Sequence, residues 1–193
     1  MLDLLQPLQP LQLPQPCTSR RFQINRPAFK LSYDIVAEDG SSPLYHVKNG
    51  VHTSKAPALA FHNGPSEAAP VIAVCHMPHF SLGYKIGFGD PTNNTDTVQW
   101  EDMIKTKFNN SEHRFSFVWK RTRHVCVAGK TVRKASPRNW KLLDEDNTIL
   151  AIFNDDRKIG ICGVLQIEQD HGQDFDVMVM ITLMALYERS RRA

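Results

Sequence analysis

The chain has 193 residues, enough for one domain or for one domain with a tail. Hydrophobic residues at 41% and charged residues at 22% are ordinary for a globular protein, and no stretch reaches the roughly 20 consecutive apolar residues that would make a transmembrane helix. The net charge of +3 is too small to imply a nucleic-acid or membrane partner by itself, so the distribution of charge matters more than its sum.

Residues 1–21 repeat a Leu-Gln-Pro theme, with Pro7, Pro10, Pro14 and Pro16 breaking every apolar turn. Proline at that density blocks helix and sheet, which predicts an extended, disordered tail. The tail reads either as a proline-rich ligand for a protein partner or as a leader without function. It lacks the basic start and apolar stretch of a secretory signal, so a cytoplasmic location is expected. Cys17, Cys75, Cys126 and Cys162 stand far apart, form no C-x-x-C, and mostly sit in apolar runs. They read as reduced cysteines buried in a core.

From Phe22 the pattern is mostly strands. Leu31, Tyr33 and Ile35 alternate with Ser32 and Asp34, as a strand with one buried face does. A turn from Glu38 leads into Leu44 to Lys48, which ends at the turn signal Asn49, Gly50. Ala58 to Phe61 and Val71 to Cys75 follow. Phe80, Leu82, Tyr84, Ile86 and Phe88 alternate without a break, and Gly83, Gly87 and Gly89 suit tight curvature or close backbone approach. Further strands are predicted at Phe115 to Trp119, Val125 to Ala128, Trp140 to Leu143, Ile149 to Phe153 and Ile159 to Ile167.

The chain closes on a helix expected over about residues 174–190. Asp174 or Asp176 can cap its start, and Arg189, Arg191 and Arg192 suit the negative end of its dipole. Between them Phe175 to Tyr187 is apolar on every face, broken only by Asp176 and Thr182. Such a helix must be surrounded, and this one is too short for lipid. Many strands and one helix apolar all round point to a mainly β fold: a closed or nearly closed antiparallel barrel of about 12 strands around the hydrophobic C-terminal helix. The domain is expected to span residues 22–193.

Taken in order, Leu31 to Ile35, Lys85 to Pro91, Trp100 to Met103, Phe115 to Trp119, Trp140 to Leu142, Ala151 to Phe153 and the run Phe175 to Arg189 resemble the tubby C-terminal-like superfamily. That group takes in tubby domains, phospholipid scramblases and plant LURP-one-related proteins, and the chain looks most like its small stand-alone fungal members. The likeness runs from about Phe22 to the end. It implies a barrel wrapped around a C-terminal helix. It also brings phosphoinositide binding, as in tubby domains, and membrane association, as in scramblase-like proteins, into view. It carries over no site residue, and fold by itself is a poor guide to activity.

The residues offer one charged constellation. Between Lys120 and Lys141 there is no acid, while Lys120, Arg121, Arg123, Arg133, Lys134 and Arg138 all fall there. These six are the candidate anion- or lipid-binding residues. The competing reading is a solvated strand face and loop, balanced by Asp144, Glu145 and Asp146. Cys75, His76 and His79 lack a second ligand pair at zinc spacing, and the aspartates around Asp144 and Asp155 lack an EF-hand pattern, so no metal and no cofactor are expected. No nucleophile-and-base arrangement is visible. The expected function is a non-catalytic binding module, cytoplasmic or peripheral to a membrane, with anionic lipid as partner. The alternative is a protein-interaction or regulatory domain with no lipid role. Nucleic acid is not expected.

Overall fold

The computed structural model describes residues 19–50, 56–78, 83–105, 112–114, 117–127, 129 and 136–192. It is mainly β, with one helix at the end. In chain order the strands are β1 (Arg20–Asn25), β2 (Tyr33–Ala37), β3 (Pro43–Asn49), β4 (Leu59–His62), β5 (Val71–His76) and β6 (Tyr84–Phe88). They continue with β7 (Gln99–Lys105), β8 (Glu112–Arg114), β9 (Val118–Arg121), β10 (Trp140–Leu143), β11 (Ile149–Lys158) and β12 (Ile161–Ile167), and the helix α1 (Gln173–Arg192) follows. Each strand pairs antiparallel with its neighbours in sequence. β1 pairs with β2 on one side and with β12 on the other, so the order returns to its start and forms a barrel. The ring is thinnest at β7 and β8, where the register holds only Ile104 opposite Arg114 and Lys105 opposite His113.

Helix α1 fills the barrel. Val179, Met180, Ile181, Leu183 and Met184 are fully buried and share one core with Ile24, Ile35, Val47, Phe61, Ile86, Trp119 and Phe153 from the surrounding strands. Each such side chain removed from water is worth roughly 1.5–3 kcal/mol. The single polar break in the middle of the helix is satisfied: Thr182 Oγ1 accepts from Trp119 Nε1 at 2.9 Å and donates back to the Met178 carbonyl at 2.7 Å. A hydroxyl bonded to its own helix and to an indole costs the core little.

Several expectations are corrected. The fold begins at Arg20, not Phe22: Arg20 lies opposite Ile167 and Arg21 opposite Gln166. Residues 1–18, with most of the expected tail and Cys17, lie outside the described residues. Leu31 precedes β2 and is half exposed rather than facing the core, and Ile159 is at the tip of the β11–β12 hairpin rather than in a strand. Val125 to Val127 form no strand. Val127 instead packs with Ile152 and Val164 on the outside of the barrel, and its N–H donates to Asn154 Oδ1 at 2.7 Å. Cys126 is consequently exposed, while Cys75 and Cys162 are buried. β7 and β8 carry no clean alternation and escape sequence reading: in β7 Met103 is buried, while Trp100 and Ile104 face outward.

Trp100 lies across β6 because Gly87 has no side chain. A Cβ there would come within 2.8 Å of the Trp100 ring. This is the close approach expected of a strand glycine.

The two ends of α1 are tied differently. At the start, Asp176 is not a cap. It is buried, and its Oδ1 accepts from Arg20 Nη2 at 2.8 Å, with Asp170 3.2 Å from the same guanidinium. Burial pushes the Asp176 carboxyl up to about 6 even with Arg20 beside it. At the finish, Glu188 is fully buried. It accepts from Tyr33 Oη, from Arg191 at 2.9 and 3.1 Å and from Arg192 at 2.6 Å, and Arg192 also reaches Asn49 Oδ1 at 2.7 Å. Burial alone would raise this carboxyl, but the hydrogen bonds from Arg191, Tyr33, Arg192 and Asn49 outweigh it and hold it down at about 2. Arg191 and Arg192 thus clasp a buried charge, beyond complementing the dipole.

Candidate functional site

The end of the barrel where α1 finishes is rich in cations, and it is built from segments far apart in the chain. β1 ends at Asn25 and the backbone turns through Arg26 to Leu31. β11 and β12 meet at a hairpin whose turn is made by Gly160, with φ of +83°. Because β1 and β12 are neighbours in the ring, these two connections lie side by side, and the Arg26 N–H donates to the Gly160 carbonyl at 2.8 Å. Between them and the last turn of α1 lies a cleft of about 740 Å³.

Its charged lining is Arg26, Lys30, Arg138, Lys158 and Arg191, and no carboxylate stands among its lining residues. Two of these cations are already engaged, Arg191 with Glu188 and Lys158 with Asp156 at 3.1 Å. Arg26 Nε donates to the Lys30 carbonyl at 3.0 Å, and its guanidinium sits 5.8 Å from the centre of the Tyr33 ring. Arg138 lies over Tyr187 at 5.5 Å, with its Nε buried and without a hydrogen-bond partner among the described residues. Arginine stacked on an aromatic face keeps its outward N–H groups available, which suits a phosphate or carboxylate. The floor is Cys162 and Tyr187. Burial pushes the Cys162 thiol up and the Tyr187 phenol up, so neither ionises near neutral pH. The cleft therefore offers cations and neutral walls, the makings of an anion site, and holds no activated nucleophile.

Of the six candidate residues read from the sequence, the four that the structure describes, Lys120, Arg121, Arg123 and Arg138, do not gather on one surface. Arg138 alone lines the cleft. Lys120 is opposite Lys141 in the β9–β10 ladder, on the outer wall away from buried Trp119. Arg121 stands 5.2 Å over the Trp140 ring, and burial lowers its pKa. Arg123 is exposed beyond β9. Arg133 and Lys134 lie outside the described residues. Arg26, Lys30, Lys158 and Arg191 escape sequence reading because they form no contiguous basic run. The available signal was two short turns, Arg26 to Leu31 and Lys158 to Gly160, each pairing cations with a large apolar residue.

The histidine and cysteine pair at β5 does not converge. Cys75 faces the core, where burial pushes its thiol up, and His76 packs outside at 5.5 Å from the Trp100 ring. His79 lies outside the described residues. Among the described residues no group of three or more histidines, cysteines and carboxylates is placed to hold a metal ion, and no helix is long and apolar enough to cross a membrane.

No protein-family model matches the chain, and no curated protein does. Among solved structures, the X-ray structure of a protein from Arabidopsis thaliana is similar, with a TM-score of 0.55 and 14% identity, over 87% of this chain and 91% of that one. The likeness is one of fold. It covers most of both chains, and at that identity it carries no site residue across.

Proposed function

We propose that the chain is a distant member of the tubby C-terminal-like superfamily and works as a non-catalytic binding module for a phosphate-bearing anionic headgroup, held in the cleft at the end of α1. The observation that carries this reading is the lining: cations from the β1–β2 turn, the β11–β12 hairpin, Arg138 and α1 face one space with no carboxylate among them. The shared fold with the plant protein supports the superfamily assignment.

Arg26, Lys30 and Arg138 are the binding residues in this reading. Each contributes about 1 kcal/mol toward an anionic surface, so together they supply about 3 kcal/mol, roughly a hundredfold preference over a neutral ligand. That is weak, salt-sensitive binding. Titrating the protein with soluble inositol trisphosphate at low salt tests it. Binding is expected, weakening roughly tenfold or more in the Lys30→Ala/Arg138→Ala double variant. Absence of heat or of any protection by the ligand at low salt would remove the reading.

A second reading has its own observation. The opposite end of α1 borders a groove of about 670 Å³ in which Ile72, Phe88, Phe117, Phe175 and Met178 stand beside Gln99, Glu101, Gln173 and Asp174. A protein-interaction domain without a lipid role would use such a groove, and it becomes the better account if the headgroup titration fails.

A further inference from the structure

We infer that the barrel end at the finish of α1 docks on an anionic lipid bilayer, with Phe29 and Ile159 entering the interface beside the cationic cleft. This inference rests on the headgroup reading above and adds the membrane as the source of the headgroup and an orientation for the barrel.

Phe29 and Ile159 are the most exposed large apolar side chains among the described residues, at 109% and 97% of full exposure. A single exposed apolar residue needs no explanation. These two stand at the tips of the two connections that flank the cleft, which the Arg26 to Gly160 hydrogen bond holds together. Leu31, half exposed, lines the cleft. Phe29 also has a φ of 63°, a left-handed conformation that a bulky residue rarely adopts and that glycine or asparagine would fill more easily. Fully exposed, the phenyl group packs on nothing among the described residues, whose packing does not account for an aromatic residue there.

The two tips are separate projections rather than a broad apolar patch. A protein partner needs a continuous, well-packed core of contact. A bilayer interface needs less: apolar groups that dip below the phosphates and cations that stay level with them. Lys30 follows Phe29 and Lys158 precedes Ile159 in sequence, so each tip pairs an apolar residue with a neighbouring cation. Arg26 and Arg138 lie behind them in the cleft. The charge matches an anionic surface, and the spacing along each turn matches its amphipathic edge. Docked this way, the C-terminal end of α1 faces the membrane and the groove at the other end faces away.

Two measurements on the full chain test this. The first is co-sedimentation with phosphatidylcholine vesicles containing phosphatidylserine and a phosphoinositide. The second is titration with soluble inositol trisphosphate. The Phe29→Ser/Ile159→Ser variant should fold normally, because both side chains are exposed, and its thermal midpoint checks that. It should bind the soluble headgroup within about twofold of the wild type while its vesicle affinity falls about tenfold or more, since transfer of the apolar side chains is lost. Equal vesicle binding by this variant and the wild type overturns the inference and leaves the headgroup reading intact. A wild type that binds the soluble headgroup and ignores vesicles also overturns it, in favour of a free phosphate ligand or an acidic protein partner. A wild type that binds neither overturns both.

Discussion

At the scale of single residues, the two buried carboxylates of α1 pull stability in opposite directions with pH. Glu188 is held at about 2 against an ordinary 4.5, so its contribution is fully present above 4.5 and is lost as pH falls through about 2. Asp176 is raised to about 6 from 3.8, so the protein gains from its protonation at low pH and loses that gain as pH rises through about 6. Comparing each variant with the wild type by urea denaturation between pH 3 and 7 separates the two. Asp176→Asn should remove a loss of at most about 3 kcal/mol between pH 4 and 6, from a shift of about two units at 1.36 kcal/mol each. Glu188→Gln should be less stable than the wild type at neutral pH by about 3–5 kcal/mol, because Arg191 and Arg192 lose a buried partner. That difference should narrow as pH falls below 4.5. Variant and wild-type curves that run parallel in both windows would show that these carboxylates are not buried as described. Neither role was readable from the sequence, where Asp176 looks like a cap and Arg191 and Arg192 look like dipole complements. Their partners, Arg20 and Tyr33, are more than a hundred and fifty positions away.

At the scale of elements, alternation revealed what was half-buried. Tyr33 with Ile35, Tyr45 with Val47, and Tyr84 with Ile86 point inward as period two demands. The apolar run of α1 announced a central helix for the same reason: nothing but a surrounding sheet satisfies it. β7 was hidden because Trp100 and Ile104 face outward, and the polar end of β11 was hidden because its burial is compensated by side chains. Asp155 Oδ2 there accepts from Ser136 Oγ at 2.5 Å, and the Asp155 N–H donates to Asn139 Oδ1 at 3.0 Å. The cleft was illegible for a topological reason. Its turns after Asn25 and after Lys158 become neighbours only through the pairing of β1 with β12, which closes the sheet across almost the full length of the chain. That pairing also sets where the N-terminus stops being dispensable. Deleting residues 1–18 should leave the thermal midpoint nearly unchanged, because their proline-rich sequence has no apolar period to pack. Deleting through Arg21 should cost about 3 kcal/mol for the lost Arg20 to Asp176 pair alone. At about 2–4 °C per kcal/mol for a chain of this size, that is roughly 6–12 °C. Equal midpoints for the two truncations in differential scanning calorimetry would contradict the role given to β1.

At the scale of the whole molecule, the barrel has two unlike ends. One gathers cations around the finish of α1, and the other presents a groove near its start where Phe117 and Phe175 stand beside Glu101 and Asp174. Helix α1 holds them apart: Phe175 and Tyr187 are twelve residues, about 18 Å, from each other along it. A net charge of +3 conceals this polarity, which is a property of the fold and not of the composition. We propose that the cationic end binds an anionic headgroup through Arg26, Lys30 and Arg138. The most direct test is the salt dependence of binding to phosphoinositide vesicles, wild type against Arg26→Ser/Lys30→Ser/Arg138→Ser. Exposed charges are screened beyond about 8 Å at physiological ionic strength. The wild type should therefore pellet with anionic vesicles at low salt, release as salt approaches physiological strength, and ignore phosphatidylcholine alone. The triple variant should remain folded and stay in the supernatant with both. Binding that is indifferent to salt, or a triple variant that pellets as the wild type does, would contradict the claim.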